Sequence, residues 1–393
     1  MVGQAAQRAR VRTSSLLENA LLGVPLSQVP RLMPGVAMAV VVVIVAIVVA
    51  DALNRALGFS GAVSSIMVAI ILGMIVRNTV GVPRWALPGI DFCLRRLLRL
   101  GIIFMGIRLS IFDALKIGAW GVPIVVLCVI AGLAVTSYVT QRLGLSRRLG
   151  TLIAVGTSIC GASAIVATAP GIKARSEEVA YAVANITVFG VVAMLLYPFL
   201  ANFLFTGNLI MSGLFLGTAV HETAQVAGAG LIYDQTFPTA ARPTAADVAV
   251  VTKLVRNMFM ALVIPFMVYL YARNAGADNN SPRKVNVTRL VPLFIFAFLA
   301  LAVVRSIGDA GLQGDGLAFG LWGSAAWHQG TRFFIQLSGH TLAAAMAGVG
   351  LGTSYSALKG LGIKPFFVGL LAALIVGAAS FVAVMVLGPR LAV

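Results

Sequence analysis

Between residues 34 and 388 the chain is a train of apolar runs separated by short polar, glycine- or proline-containing joints. A helix needs roughly 20 apolar residues to cross a bilayer. Eleven runs meet that need: 34–53, 60–78, 91–109, 117–140, 148–170, 178–203, 207–230, 246–273, 290–308, 324–350 and 362–388. The joints are too short for a separate water-soluble domain. The pattern therefore predicts an all-α polytopic membrane protein with about eleven transmembrane helices.

The runs also echo one another. ILGMIVRNT (71–79) in the second span matches FLGTAVHET (215–223) in the seventh, and RLLRLGIIFM (96–105) in the third matches KLVRNMFMAL (253–262) in the eighth. The sixth and eleventh end alike, in LLYP (195–198) and VLGP (386–389). Taken in order, these matches pair spans 2–6 with spans 7–11. Partners five spans apart run in opposite directions, the plan of secondary transporters built from inverted repeats. The expected organisation is a cytoplasmic segment 1–33, an extra helix 34–59, and repeats at 60–206 and 207–393. A competing alignment lays GTSICGASAIVATA (156–169) over GTAVHETAQVAGAG (217–230). Counted as crossings, those spans lie two apart and run parallel, so this likeness reads as shared small-residue composition.

Composition supports the membrane reading: 60% of residues are hydrophobic, 10% are charged, and mean hydropathy is +0.99. A formal net charge of +17 would suit nucleic acid if it were gathered on one soluble surface. Instead it divides across the membrane. With the N-terminus inside, fifteen Lys and Arg fall in cytoplasmic segments and seven in external ones. That asymmetry predicts a cytoplasmic N-terminus and an external C-terminus. The first run follows a basic, proline-containing stretch without a small-residue cleavage site, so it is expected to be retained. Cys93, Cys128 and Cys160 all fall in spans, and their spacing fits neither a disulfide framework nor zinc.

Candidate chemistry concentrates where polar residues interrupt the spans. In VGTSICGASAIVATAP (155–170), Thr157, Ser158, Cys160, Gly161 and Ser163 crowd one half of a helix. Its partner under the repeat, IQLSGHTLAAAMAGVG (335–350), is interrupted at Ser338, Gly339 and His340. Unwound helices at mid-depth are tolerated only around a cavity or a site, so these two are expected to be discontinuous and to cross there. Free N–H groups at the start of a half-helix suit an anion. Close helix packing explains the Gly and Ala content better; the hydroxyls and thiol tip the balance to a substrate site.

Charges inside the spans are costly and are functional candidates by default. Arg95 and Arg96 are expected to snorkel towards a membrane face. Arg99, Lys253 and Arg256 lie deeper, and either line an anion path or snorkel as well. Glu222 either pairs with a buried cation or, with His221, binds a coupling proton. Tyr181 and Asn185 are expected to bond helix to helix.

GTSICGASAIVATAP, EEVAYAVANITVFG (177–190), GTAVHETAQVAGAG and KLVRN (253–257) together resemble the YeiH-type (UPF0324) sulfate exporter family over nearly the whole membrane region. The resemblance implies an inner-membrane transporter related in fold to the bile-acid symporters and cation–proton antiporters. Sulfate or a related sulfur oxyanion is the implied substrate.

The leading expectation is export of a small inorganic anion by alternating access. The alternatives are a monovalent cation/proton antiporter, which needs carboxylates absent from 148–170 and 324–350, and an anion channel. No Walker loop, HExxH or acyl-transfer order is present, so neither an enzyme nor a cofactor or metal is expected. The expected partners are the anion, the lipid bilayer and a second copy of the chain, without nucleic acid.

Overall fold

The computed structural model describes residues 28–58, 63–274, 290–354 and 363–391. Most of the segment 1–33 lies outside them, as do Arg8, Arg10, Arg12, Arg283, Lys284, Arg289 and Lys359, which entered the charge asymmetry.

Helix dominates because a backbone in lipid must satisfy its own N–H and C=O groups. Among the described residues six helices are long and apolar enough to cross a membrane. They are α1 (Val29–Leu57), α5 (Ile111–Arg142), α8 (Ser176–Leu204), α13 (Phe294–Gly314), α14 (Ser324–Gly352) and α15 (Ile363–Leu391). A seventh candidate is the pair α11 (Ala245–Met258) and α12 (Met260–Asn274), bent by 41°. The chain is thus an all-α polytopic membrane protein. α1 illustrates the solvent it is built for: Val41, Ile44 and Val48 are more than half exposed, while Ala39, Ala46 and Ala50 are buried. Small residues face the protein and branched aliphatics face outward.

The remaining elements are shorter. α2 (Ser65–Thr79) is one. Another is a composite rod made of α3 (Leu87–Phe92), a π-helical turn at Cys93–Leu97, α4 (Leu98–Met105) and a 3-10 turn at Gly106–Arg108. Two pairs then double back on themselves. α6 (Arg147–Ser158) and α7 (Ala162–Thr168) form hairpin 1; α9 (Leu209–Ala219) and α10 (Thr223–Thr236) form hairpin 2.

Contacts at the feet of each pair establish the return. Ser146, the N-cap of α6, donates to Glu178 in the first turn of α8, 2.7 Å away. The exit of hairpin 1 thus lies beside its entrance. In hairpin 2, Ser212 near the start of α9 bonds Tyr233 near the end of α10, 3.2 Å away. Gly213 and Gly230 both pack on the first turn of α11, against Ala245 and Ala246. Two expected spans, 148–170 and 207–230, are therefore re-entrant.

The third correction concerns 324–350. It was expected to break around Ser338, yet α14 runs unbroken from Ser324 to Gly352. Nothing in its backbone forces a break: none of its glycines has a positive φ. The small residues that serve packing lie further along, at Gly348 and Gly350. A Cβ on Gly350 would collide with the backbone carbonyl of Ile70, so α14 and α2 touch backbone to backbone.

The helices gather in two groups. α1, α2, the composite rod, α13 and α14 pack on one another. α5, α8, α11 and α15 surround the hairpins: α11 lies along both α9 and α10, α15 along α5 and α9, and α8 along α6 and α10. The groups are joined where Ser64, capping α2, donates to Gln235 at the end of α10 (2.7 Å). A second link is Arg108, whose Nε lies 3.1 Å from Oδ1 of Asp247 in the first turn of α11.

Candidate functional site

The hairpins meet tip to tip. Hairpin 1 breaks at Ile159–Gly161, where Gly161 takes φ +58° and ψ −130°, a conformation that a residue with a Cβ adopts only under strain. Hairpin 2 breaks without glycine. Val220 and Glu222 are extended, and Glu222 opens α10 with a capping box: its carboxylate accepts the Gln225 N–H, and the Gln225 side chain accepts the Glu222 N–H. The sequence ETAQ at 222–225 encodes that restart.

A helix ending inside a membrane leaves carbonyls without N–H partners and a partial negative charge at its tip. Here two such ends converge, and α11 supplies the answer. Lys253 and Arg256 are both 0% exposed. Lys253 Nζ donates to Ile159 O (2.9 Å), Val220 O (3.2 Å) and His221 O. Arg256 donates from Nε to Ser158 O (2.9 Å), from Nη1 to Thr218 O (2.7 Å) and Val220 O (3.2 Å), and from Nη2 to Thr157 O. Burying an ion costs several kcal/mol unless its partners are complete. The three ammonium protons of Lys253 find three carbonyls, so it is complete. These residues therefore neither snorkel nor present a free charge; they staple the ends of α6 and α9.

The other expected residues distribute unevenly. Thr157 and Ser158 are buried. Thr157 Oγ1 turns back to Ile153 O (2.7 Å), and Ser158 Oγ packs so tightly on α5 that a Cβ at Gly132 would stand 2.5 Å from it. Cys160 Sγ lies 3.4 Å from Thr223 Oγ1, which also accepts from Asn257 Nδ2 at 3.1 Å. Ser163 is exposed at the start of α7. His221 is 1% exposed, and neither ring nitrogen makes a well-formed hydrogen bond among the described residues. Glu222 is half-buried at the tip of hairpin 2.

Across from the tips stands the composite rod. Arg99 is exposed and within electrostatic reach of Cys160; Arg95 stands in the same relation to Glu222. Arg95 is also tied to Asp91 by a 2.6 Å bond, one turn away. The π turn at Cys93–Leu97 carries Arg95 and Arg96, and such single-turn bulges re-aim side chains, frequently at functional sites.

Ser338, Gly339 and His340 are not part of this assembly. Ser338 is buried and donates to Gly101 O at 2.8 Å, joining α14 to α4, while Gly339 and His340 are exposed. Asn185 is helix-to-helix as expected: it is 99% buried and donates to Pro365 O at the start of α15. Thr223 and Ser380 were missed as candidates, whereas Gln225, on a helical face with His221 and Glu222, and Asn257, beside Arg256, were legible in the sequence. Gln225 wedges against α8, donating to Thr187 O (3.2 Å) where a Cβ at Gly190 would collide with it. Ser380 Oγ meets Thr218 Oγ1 at 2.6 Å and ties α15 to hairpin 2. Neither Thr223 nor Ser380 carried a signal of its own in the sequence.

Comparison with known proteins agrees in extent with this architecture. The family model described as conserved hypothetical protein 698 matches residues 34–369. A UPF0324 membrane protein of Bacillus cereus is 32% identical over 333 residues, covering 84% of this chain and 89% of that protein. A UPF0324 membrane protein of Pseudomonas aeruginosa is 34% identical over 362 residues, 89% and 92% of the two chains. The UPF0324 inner membrane protein YeiH of Escherichia coli is 35% identical over 323 residues, 80% and 84% of the two.

Proposed function

From a chain that belongs to the UPF0324 membrane-protein family, which includes YeiH, we propose an inner-membrane secondary transporter that exports a small inorganic anion by alternating access. Sulfate, sulfite or a related sulfur oxyanion is the substrate class. The observation that carries this reading is the exposed guanidinium of Arg99 opposite the hairpin tip at Cys160. The tips are already charge-neutralised by Lys253 and Arg256 through their carbonyls. Among the described residues Arg99 forms no ion pair with a carboxylate, and so is disposed to hold an anion. An inside-negative potential drives each exported negative charge by roughly 2.3 kcal/mol per 100 mV.

Two hairpins opening towards opposite sides also support the transporter reading. Each hairpin returns to the side it entered from, so GTSICGASAIVATA with α8 and GTAVHETAQVAGAG with α11 form two units of opposite orientation, separated by the single crossing of α8. The repeat we infer is thus this one, with the substrate between its tips. The N-terminus lies in the cytoplasm and the C-terminus outside, on the charge asymmetry.

Arg99→Gln tests the site. Proteoliposomes loaded with labelled sulfate or sulfite, under an imposed potential, should show apparent anion affinity falling at least about tenfold, which is 1.4 kcal/mol, with thermal stability unchanged. An unaltered affinity would remove Arg99 from the path. Sodium- or potassium-driven proton exchange without any anion flux would leave the antiporter standing.

Alternating access further requires one side to release its hold. The pair Arg108–Asp247 suits a latch: the Nε–H is close to the carboxylate yet not aimed at it, and a long 3.4 Å bond from Nη2 to Thr244 Oγ1 is the hydrogen bond that accompanies the charge pair. Arg108→Gln leaves the cap that Asp247 makes with Thr244 intact. In a chain retaining only Cys160, it should speed labelling by a membrane-impermeant maleimide several-fold, from the side where α11 begins and not from the other.

A further inference from the structure

Transporters that couple to sodium commonly hold the ion with unwound backbone carbonyls and half-helix C-terminal ends at mid-depth. This chain has that arrangement in duplicate. The end of α6 offers Thr157 O, Ser158 O and Ile159 O, and the end of α9 offers Thr218 O, Val220 O and His221 O. All six are occupied by side chains from one helix. We propose that the Lys253 ammonium is a tethered counterpart of a coupling cation, seated in a carbonyl cage built for a monovalent ion, and that the carrier therefore works without binding sodium or potassium.

Three observations carry this. The cage draws on both hairpins, with Ile159 O from one and Val220 O and His221 O from the other, as a bridging ion would. The ammonium is sealed at 0% exposure and spends every proton on a carbonyl, which leaves no room for an ion beside it. All three acceptors are neutral backbone carbonyls, the oxygens that replace a monovalent cation's hydration shell. Arg256 shares Val220 O with Lys253 and donates otherwise to Thr157 O, Ser158 O and Thr218 O, while Glu222 lies near enough to offset part of the crowded positive charge. The inference goes beyond the anion reading, because it concerns what holds the tips together and not what passes between them.

Removing the tether should expose the cage. Purified wild-type protein should have the same melting temperature in choline, sodium, potassium and ammonium chloride at fixed ionic strength. Lys253→Ala should melt lower in choline and recover saturably, by several degrees, in at least one of sodium, potassium and ammonium chloride. A folded Lys253→Ala variant indifferent to all four salts would overturn the proposal, as would saturable stabilisation of the wild type by sodium or potassium. If Lys253→Ala does not fold, wild-type flux decides: flux unchanged when choline replaces sodium and potassium on both sides supports the tether, and flux lost in choline overturns it. The melting readout requires no transport. A wild type that moves no anion therefore defeats the functional reading and leaves this one to be judged on the salts.

Discussion

Arg256→Ala is expected to abolish the stable fold and not merely to weaken a ligand. The substitution strips the side-chain partner from Thr157 O, Ser158 O and Thr218 O, while Val220 O keeps Lys253. Each buried polar group left unmade costs about 1–3 kcal/mol, and breaking a buried charged network from one side costs about 3–5 kcal/mol. Against a total stability of about 5–15 kcal/mol, the variant should extract poorly and elute as aggregate on size exclusion in detergent. Arg256→Lys, which keeps the charge and some donors, should recover part of the monodisperse peak. The reading from sequence, in which Arg256 touches the anion, predicts instead a well-folded variant with about tenfold weaker binding. Comparing the elution profile with the binding isotherm separates the two.

Gly161→Ala is expected to have the second largest effect, on transport more than on folding. At φ +58° and ψ −130° an added Cβ strains the backbone by about 1–3 kcal/mol. It would also stand 3.3 Å from the Glu222 Cβ, pushing the hairpin tips apart where they meet. Flux should drop at least tenfold in a protein that still purifies, with a lowered melting temperature. Gly339→Ala is the control. These two glycines look equivalent when spans 5 and 10 are paired, yet a Cβ at Gly339 meets only open space. Equal loss of flux in both would show that this difference in surroundings is immaterial.

That contrast indicates what was legible in the sequence. Apolar run length announced a polytopic membrane protein, because span length is dictated by bilayer thickness and survives any rearrangement of the fold. The interruption at 156–161 was legible too, since hydroxyls, a thiol and glycine in an apolar run conflict with an exposed continuous helix. Whether such a run crosses or returns was not legible. Hairpin 1 is recognised by Ser146 meeting Glu178, a contact between residues far apart in sequence. Counting hairpins as crossings then misjudged the likeness of 156–169 to 217–230, because parity changes when a run comes back to its own side. The break expected at Ser338 failed for a different reason: small residues that let α14 lie on α2 carry the same composition as residues that let a helix end. Lys253 and Arg256 were identified as cations deep within a span, but nothing local distinguishes a ligand for substrate from a cap for two helix ends.

The shared caps carry a mechanical implication. Because α11 grips the end of α6 and the end of α9 at once, neither hairpin can swing like a flap without tearing at least three hydrogen bonds from the other's support. The tips are effectively riveted, whereas the two helix groups are tied to each other at single side-chain contacts such as Ser64–Gln235 and Arg108–Asp247. Under the proposed alternating access, motion that exchanges the exposed side would carry the riveted pair as one block past the rod that bears Arg99, with the barrier set by the seam between the two helix groups.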